Sequence, residues 1–126
     1  MIDHISIAVR DLKKAEAFYG ALLAPLGMTK LREWPEAAIG YGKKYPEFWI
    51  NRRAAMGRVA DDSGVHICLR AADTAAVNAF HAAALKGGGA SDGPPGLRAK
   101  YHDNYYAAFI RDPDGNRIEA VTFVEK

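Results

Sequence analysis

The chain has 126 residues, 49% hydrophobic and 25% charged, with a formal net charge of +2. That is enough for one domain with a real core, or two small intertwined modules, and too few for two independent domains. No apolar run approaches the roughly 20 residues of a membrane span, and the scattered Lys and Arg residues argue against nucleic acid as a partner.

The opening MIDHISIAVRD lacks the basic region and small-residue cleavage site of a secretion signal. The single cysteine, Cys68, excludes an internal disulfide, so the expected location is a reducing cytoplasm. Ile5, Ile7 and Val9 alternate with His4, Ser6 and Ala8, which predicts a strand with one apolar face. Asp11 is an N-cap for a following helix whose stripe is Leu12, Ala15, Tyr19, Leu22 and Leu26, stopped by Pro25 and Gly27. Strands are then expected over Met28 to Trp34, Ala38 to Gly42 and Glu47 to Asn51. The stretch 53–63 reads as a linker.

The second half repeats the first. An offset of 62 lays His66 on His4 without a gap, and it also aligns Asp73 with Asp11, Phe80 with Phe18 and Gly89 with Gly27. His66, Cys68 and Arg70 oppose Val65, Ile67, Leu69 and Ala71 on the next predicted strand. A helix follows behind Asp73, with Val77, Phe80, Ala84 and Leu85 as its stripe. His81, at the position of Tyr19, reads as structural, and Cys68 as a small core residue. A Gly- and Pro-rich loop over Gly87 to Gly96 is expected to lead into a strand at Leu97 to Tyr101.

The end of the chain, YYAAFIRDPDGNRIEAVTFV, reads as a β-hairpin, with Asp112-Pro113-Asp114-Gly115 matching a type I turn. On its return strand Glu119 shares a face with Val121 and Phe123. A lone carboxylate in such a setting is costly unless something positive or hydrogen-bonding meets it. The predicted fold class is therefore α+β, with two βαβββ modules, 1–52 and 64–126, forming a curved mixed sheet around a central cavity.

This duplicated plan, with HISIAV near the start, HICL heading the second half and DPDGNRIE near the end, resembles the vicinal oxygen chelate superfamily. That group includes glyoxalase I, extradiol dioxygenases, fosfomycin-resistance enzymes, methylmalonyl-CoA epimerase and the bleomycin-binding proteins. The resemblance implies a divalent metal ion (Fe, Mn, Zn or Ni) held by His4, His66 and Glu119. Either histidine alone would ordinarily be a strand-face residue satisfied by a hydrogen bond. The in-step repeat and Glu119 on the last strand are what set them apart. Glyoxalase I takes a fourth ligand, usually Glu, from the last strand of the first module. Trp49 stands there in this chain, leaving two His and one carboxylate with open positions, as in non-haem iron oxygenases.

Around that centre, His102 and Tyr106 are candidates for proton transfer. Trp49, Arg98, Tyr101 and Tyr105 are candidates for lining a substrate pocket, although Arg98 would look the same as a solvated strand residue. The expected activity is that of a metal-dependent lyase, isomerase or ring-cleaving dioxygenase acting on a small substrate with vicinal oxygens. The alternative is a binding protein like the bleomycin-resistance members, which sequester a drug without catalysis. A homodimer is expected, with the cavity formed within one chain or between two.

Overall fold

A computed structural model describes residues 1–125. Its elements run β1 (Ile5–Val9), α1 (Leu12–Leu23), β2 (Thr29–Trp34), β3 (Ala38–Gly42), β4 (Phe48–Arg52), β5 (His66–Arg70), α2 (Thr74–Lys86), β6 (Ala90–Leu97), β7 (Tyr105–Arg111) and β8 (Arg117–Phe123). Each half is βαβββ. The first forms a sheet of order β1-β4-β3-β2 and the second one of order β5-β8-β7-β6, with no strand pairing between the two among the described residues. In each sheet the first strand runs parallel to the last, and the other pairings are antiparallel.

Both helices begin as the sequence requires. Asp11 accepts from the Lys14 amide at 3.1 Å and Asp73 from the Ala76 amide at 2.8 Å, which satisfies donors left open in the first turn. Gly27 closes the first helical segment in the left-handed region, φ 81°, a conformation that suits a residue without Cβ. The helices pack on one side of their sheets and against each other. One contiguous core joins the halves, with Val9, Tyr19, Leu22, Phe48, Ile50, Phe80, Ala84 and Ile110 all removed from solvent.

The modules are also tied by polar contacts at the β7–β8 turn. Arg10 Nε donates to Asp114 at 2.7 Å, Asn116 Nδ2 donates to the Ala8 carbonyl at 2.9 Å, and the Val59 amide from the linking stretch donates to the Asp114 carbonyl at 2.9 Å. The turn itself has the expected bond from the Gly115 amide to the Asp112 carbonyl.

Three sequence expectations need correction. The strand placed at Leu97 to Tyr101 lies earlier, at Ala90–Leu97, within the stretch expected to be loop. Its glycines and prolines are tolerated because β6 is an edge strand paired only with β7, and its register shifts twice, around Gly93. Leu85 is 45% exposed, because the buried stripe of α2 is Val77, Phe80, His81 and Ala84. Cys68 is exposed rather than part of the core, because it alternates with Ile67 and Leu69 and faces away from α2.

Candidate active site

Strand pairing brings the second-half candidates together. β5 pairs with β8 so that Cys68 lies opposite Glu119, and His66, one alternation away, shares the face that looks away from α2. His66 Nε2 lies 3.1 Å from Glu119 Oε1. Glu119 is only 2% exposed, so its carboxylate depends on close partners. A second one is Tyr105, whose hydroxyl donates a short hydrogen bond to Glu119 Oε2. Tyr105 also lies 3.9 Å from Cys68 Sγ.

This environment disfavours further negative charge. Partial desolvation, then the Glu119 charge, pushes the Cys68 thiol up to about 12, and desolvation followed by the bond to Glu119 raises the Tyr105 phenol well above 10.0. Both groups therefore stay protonated at neutral pH. Phe109 and Phe123 stand on the same face, with the Phe109 ring 6.5 Å from His66 and the Phe123 ring 5.4 Å from Tyr105. A hollow of about 220 Å³ opens beside His66, walled by Tyr101, Phe109, Asp92 and Arg117. A larger hollow of about 500 Å³ lies between α1 and the β7–β8 turn. Four of the polar residues that line it are engaged with one another, Arg10 with Asp114 and Tyr19 with Asp112.

His4 is elsewhere. It precedes β1, is half exposed, and its Nδ1 lies 2.6 Å from Asp3 Oδ1. The same oxygen accepts from the Tyr45 hydroxyl at 2.5 Å, and these donors, Tyr45 first, hold the Asp3 carboxyl below 3.8. Among the described residues no three His, Cys, Asp or Glu side chains converge as a metal site would require. One chain thus supplies an imidazole and a carboxylate aimed at one point. This donor set suits Zn²⁺, Mn²⁺ or Fe²⁺, but it is short of the three ligands expected from the sequence.

The remaining candidates divide. Trp49 pairs with Ser6 as Glu119 pairs with Cys68, so it is the first-half counterpart of Glu119. Its ring lies over Gly40 and its Nε1 donates to the Pro46 carbonyl at 3.2 Å. Tyr101 packs on Tyr105 with ring centroids 5.3 Å apart. His102 sits edge-on to Phe123 at 6.2 Å, its Nδ1 accepting from the Asn104 amide. Arg98 donates to the carbonyls of Pro94 and Gly96 and lies over the Phe109 ring at 5.4 Å.

Tyr106 is not brought to the site. It alternates with Tyr105, faces α2, and donates to Asn78 Oδ1 at 2.7 Å. Sequence reasoning missed Asp3, Tyr45 and Phe109, and placed Phe123 on the Glu119 face without giving it a role. Phe109 was accessible by counting alternation forward from Tyr105, whereas Tyr45 reaches Asp3 through a turn that no periodicity describes.

Comparisons with known proteins agree with this architecture. The profile described as Glyoxalase/Bleomycin resistance protein/Dioxygenase superfamily matches residues 1–120. A glyoxalase/bleomycin resistance protein from Albidiferax ferrireducens is similar at 31% identity, TM-score 0.80, over 94% of this chain and 95% of that one. A glyoxalase/bleomycin resistance protein/dioxygenase family enzyme from Burkholderia phytofirmans aligns at 17% identity, TM-score 0.72, over 98% of each chain. The fosfomycin resistance protein FosX from Mesorhizobium loti aligns at 17% identity, TM-score 0.67, over 96% of this chain and 90% of that one. The last two likenesses concern the fold alone. No curated protein matches the chain.

Proposed function

Because this chain belongs to the Glyoxalase/Bleomycin resistance protein/Dioxygenase superfamily, we propose that it is a metal-dependent enzyme acting on a small molecule with two vicinal oxygens. The observation that carries this reading is the approach of His66 Nε2 to Glu119 Oε1, 3.1 Å, with the carboxylate almost wholly buried. His66 and Glu119 would hold a divalent ion, and His4 would complete the set from a second copy of the chain. Two observations support a shared site. His4 is half exposed and, among the described residues, does not converge with the other two on a metal-sized site. Each sheet also leaves large side chains open on or beside the face away from its helix, with Trp34 61% and Phe123 42% exposed.

A divalent ion so held would act as a Lewis acid on an enediolate- or catecholate-like species. The rest of the work falls to the protein. Tyr105 orients Glu119 by donating to Oε2, and Phe109 and Tyr101 offer aromatic walls for a planar or apolar substrate, with Trp49 to be added from the copy that brings His4. His102, held through Nδ1 and with Nε2 left over, is the proton carrier we retain, because Tyr106 faces the helix.

The test is elemental analysis of protein purified without chelator, beside His66→Ala, Glu119→Ala and His4→Ala. Stoichiometric metal in the parent and its loss in all three variants is the expected result. A metal-free parent that still takes up a small ligand would instead favour drug sequestration. Turnover would then be sought among catechols, α-ketoaldehydes and thioesters.

A further inference from the structure

The two histidines of the repeat are held differently. His66 has its Nε2 against Glu119. His4 has its Nδ1 against Asp3, and the Asp3 oxygen that receives it also receives Tyr45. The corresponding position before His66 is Val65, which is 64% exposed and has no hydrogen-bonding side chain. The arrangement is thus particular to the first half.

Its chemistry has one consequence for the imidazole. A carboxylate oxygen only accepts, so in the neutral ring the proton between them sits on His4 Nδ1 and Nε2 keeps its lone pair. Tyr45 fixes the carboxylate in turn. It belongs to the turn between β3 and β4, whose backbone is anchored by the Glu47 amide donating to Tyr41 and by the Ile5 amide donating to Glu47, both at 2.9 Å. A tyrosine from one turn and the aspartate just before His4 therefore fix both the tautomer and the direction of the His4 ring.

We propose that Asp3, steadied by Tyr45, is a positioning residue that presents His4 Nε2 as a metal donor. This rests on the reading of His4 as a ligand. A hydrogen-bonded carboxylate behind a ligating histidine raises its basicity and fixes its orientation, and losing one typically weakens metal binding by about 10- to 100-fold. As an exposed surface contact the same pairing would contribute little to folding, so binding and stability should separate.

The experiment uses the metal-free full-length protein, with zinc ion alone as the probe. Nitrogen-15 spectra of the histidine side chains should show His4 as the Nδ1–H tautomer in the parent and a shift toward Nε2–H in Asp3→Ala. Asp3→Asn, whose side-chain oxygen still accepts, should retain the parent tautomer. Calorimetric zinc titration should show about 10- to 100-fold weaker binding in Asp3→Ala, a smaller loss in Tyr45→Phe, and an unchanged thermal midpoint in both. Parent-like zinc affinity in Asp3→Ala, with His4→Ala clearly weakened, would overturn the proposal, as would an unchanged tautomer. Parent-like affinity in His4→Ala would remove the ligand reading itself, and the proposal with it.

Discussion

Tyr19 in α1 donates to Asp112 Oδ2 across 2.6 Å, a buried bond between residues 93 apart in the chain. It joins the helix of the first module to the turn of the second. The same carboxylate accepts from the Asp114 and Asn116 amides and from Asn116 Nδ2, so the turn is built around it. Tyr19→Phe keeps the ring and removes the donor. It should lower unfolding free energy by about 1–3 kcal/mol, measured by urea denaturation at pH 7.

Asp112 also carries a pH dependence. Burial raises its carboxyl above 3.8, with the Tyr19 and Asn116 hydrogen bonds acting the other way. The folded chain therefore holds this proton more tightly than the unfolded chain. The resulting stabilisation is fully present below 3.8 and is lost as pH rises through the higher folded value. In Asp112→Asn that component disappears. The stability of the parent relative to the variant should consequently increase as pH falls from neutral toward 3.8, read from paired denaturation curves.

If His4 completes a site on another copy, two defective chains should repair each other. His4→Ala and Glu119→Ala homodimers each lack every complete ligand set. A mixed dimer regains one, from the His4 of one chain with the His66 and Glu119 of the other. Random re-association of equal amounts should recover about a quarter of the parent metal content, since about half the dimers are mixed and one of their two sites is whole. No recovery after verified subunit exchange would rule out the shared site.

Cys68 should be a sluggish thiol despite its exposure. Partial desolvation of the sulfur, then the Glu119 charge, pushes its thiol up to about 12, so the reactive thiolate is scarce at pH 8. Alkylation by iodoacetamide, followed by mass spectrometry, should be on the order of a hundredfold slower than for an unfolded control. Glu119→Gln removes the nearby charge and should speed it.

Two glycines should respond oppositely to alanine. A Cβ on Gly42 would fall 1.7 Å from the Tyr45 carbonyl oxygen, a backbone atom that can move only with its turn. Gly42→Ala should therefore destabilise by at least about 2 kcal/mol and displace Tyr45 from Asp3. Gly20, inside α1, has nothing within 4 Å of such an atom. There the substitution should stabilise by about 0.5–1 kcal/mol through helix propensity. Thermal melts of the two variants check both signs.

The sequence by itself determined whatever depends on local period. Alternation around His4, His66 and Glu119 set which side chains share a strand face, Asp11 and Asp73 announced both helices, and the offset of 62 exposed the duplication. These features follow from strand and helix geometry, which repeats every two or 3.6 residues regardless of context. Tertiary structure alone decided what depends on pairing and on turns. Edge placement let the glycine- and proline-rich Ala90–Leu97 become a strand, because only one side of it has to donate to a neighbour. The β5–β8 register brought His66 to Glu119, while the separation of the two sheets left His4 with Asp3 and Tyr45. Contacts between distant residues are fixed by how whole elements dock, and no short-range pattern in the chain encodes that.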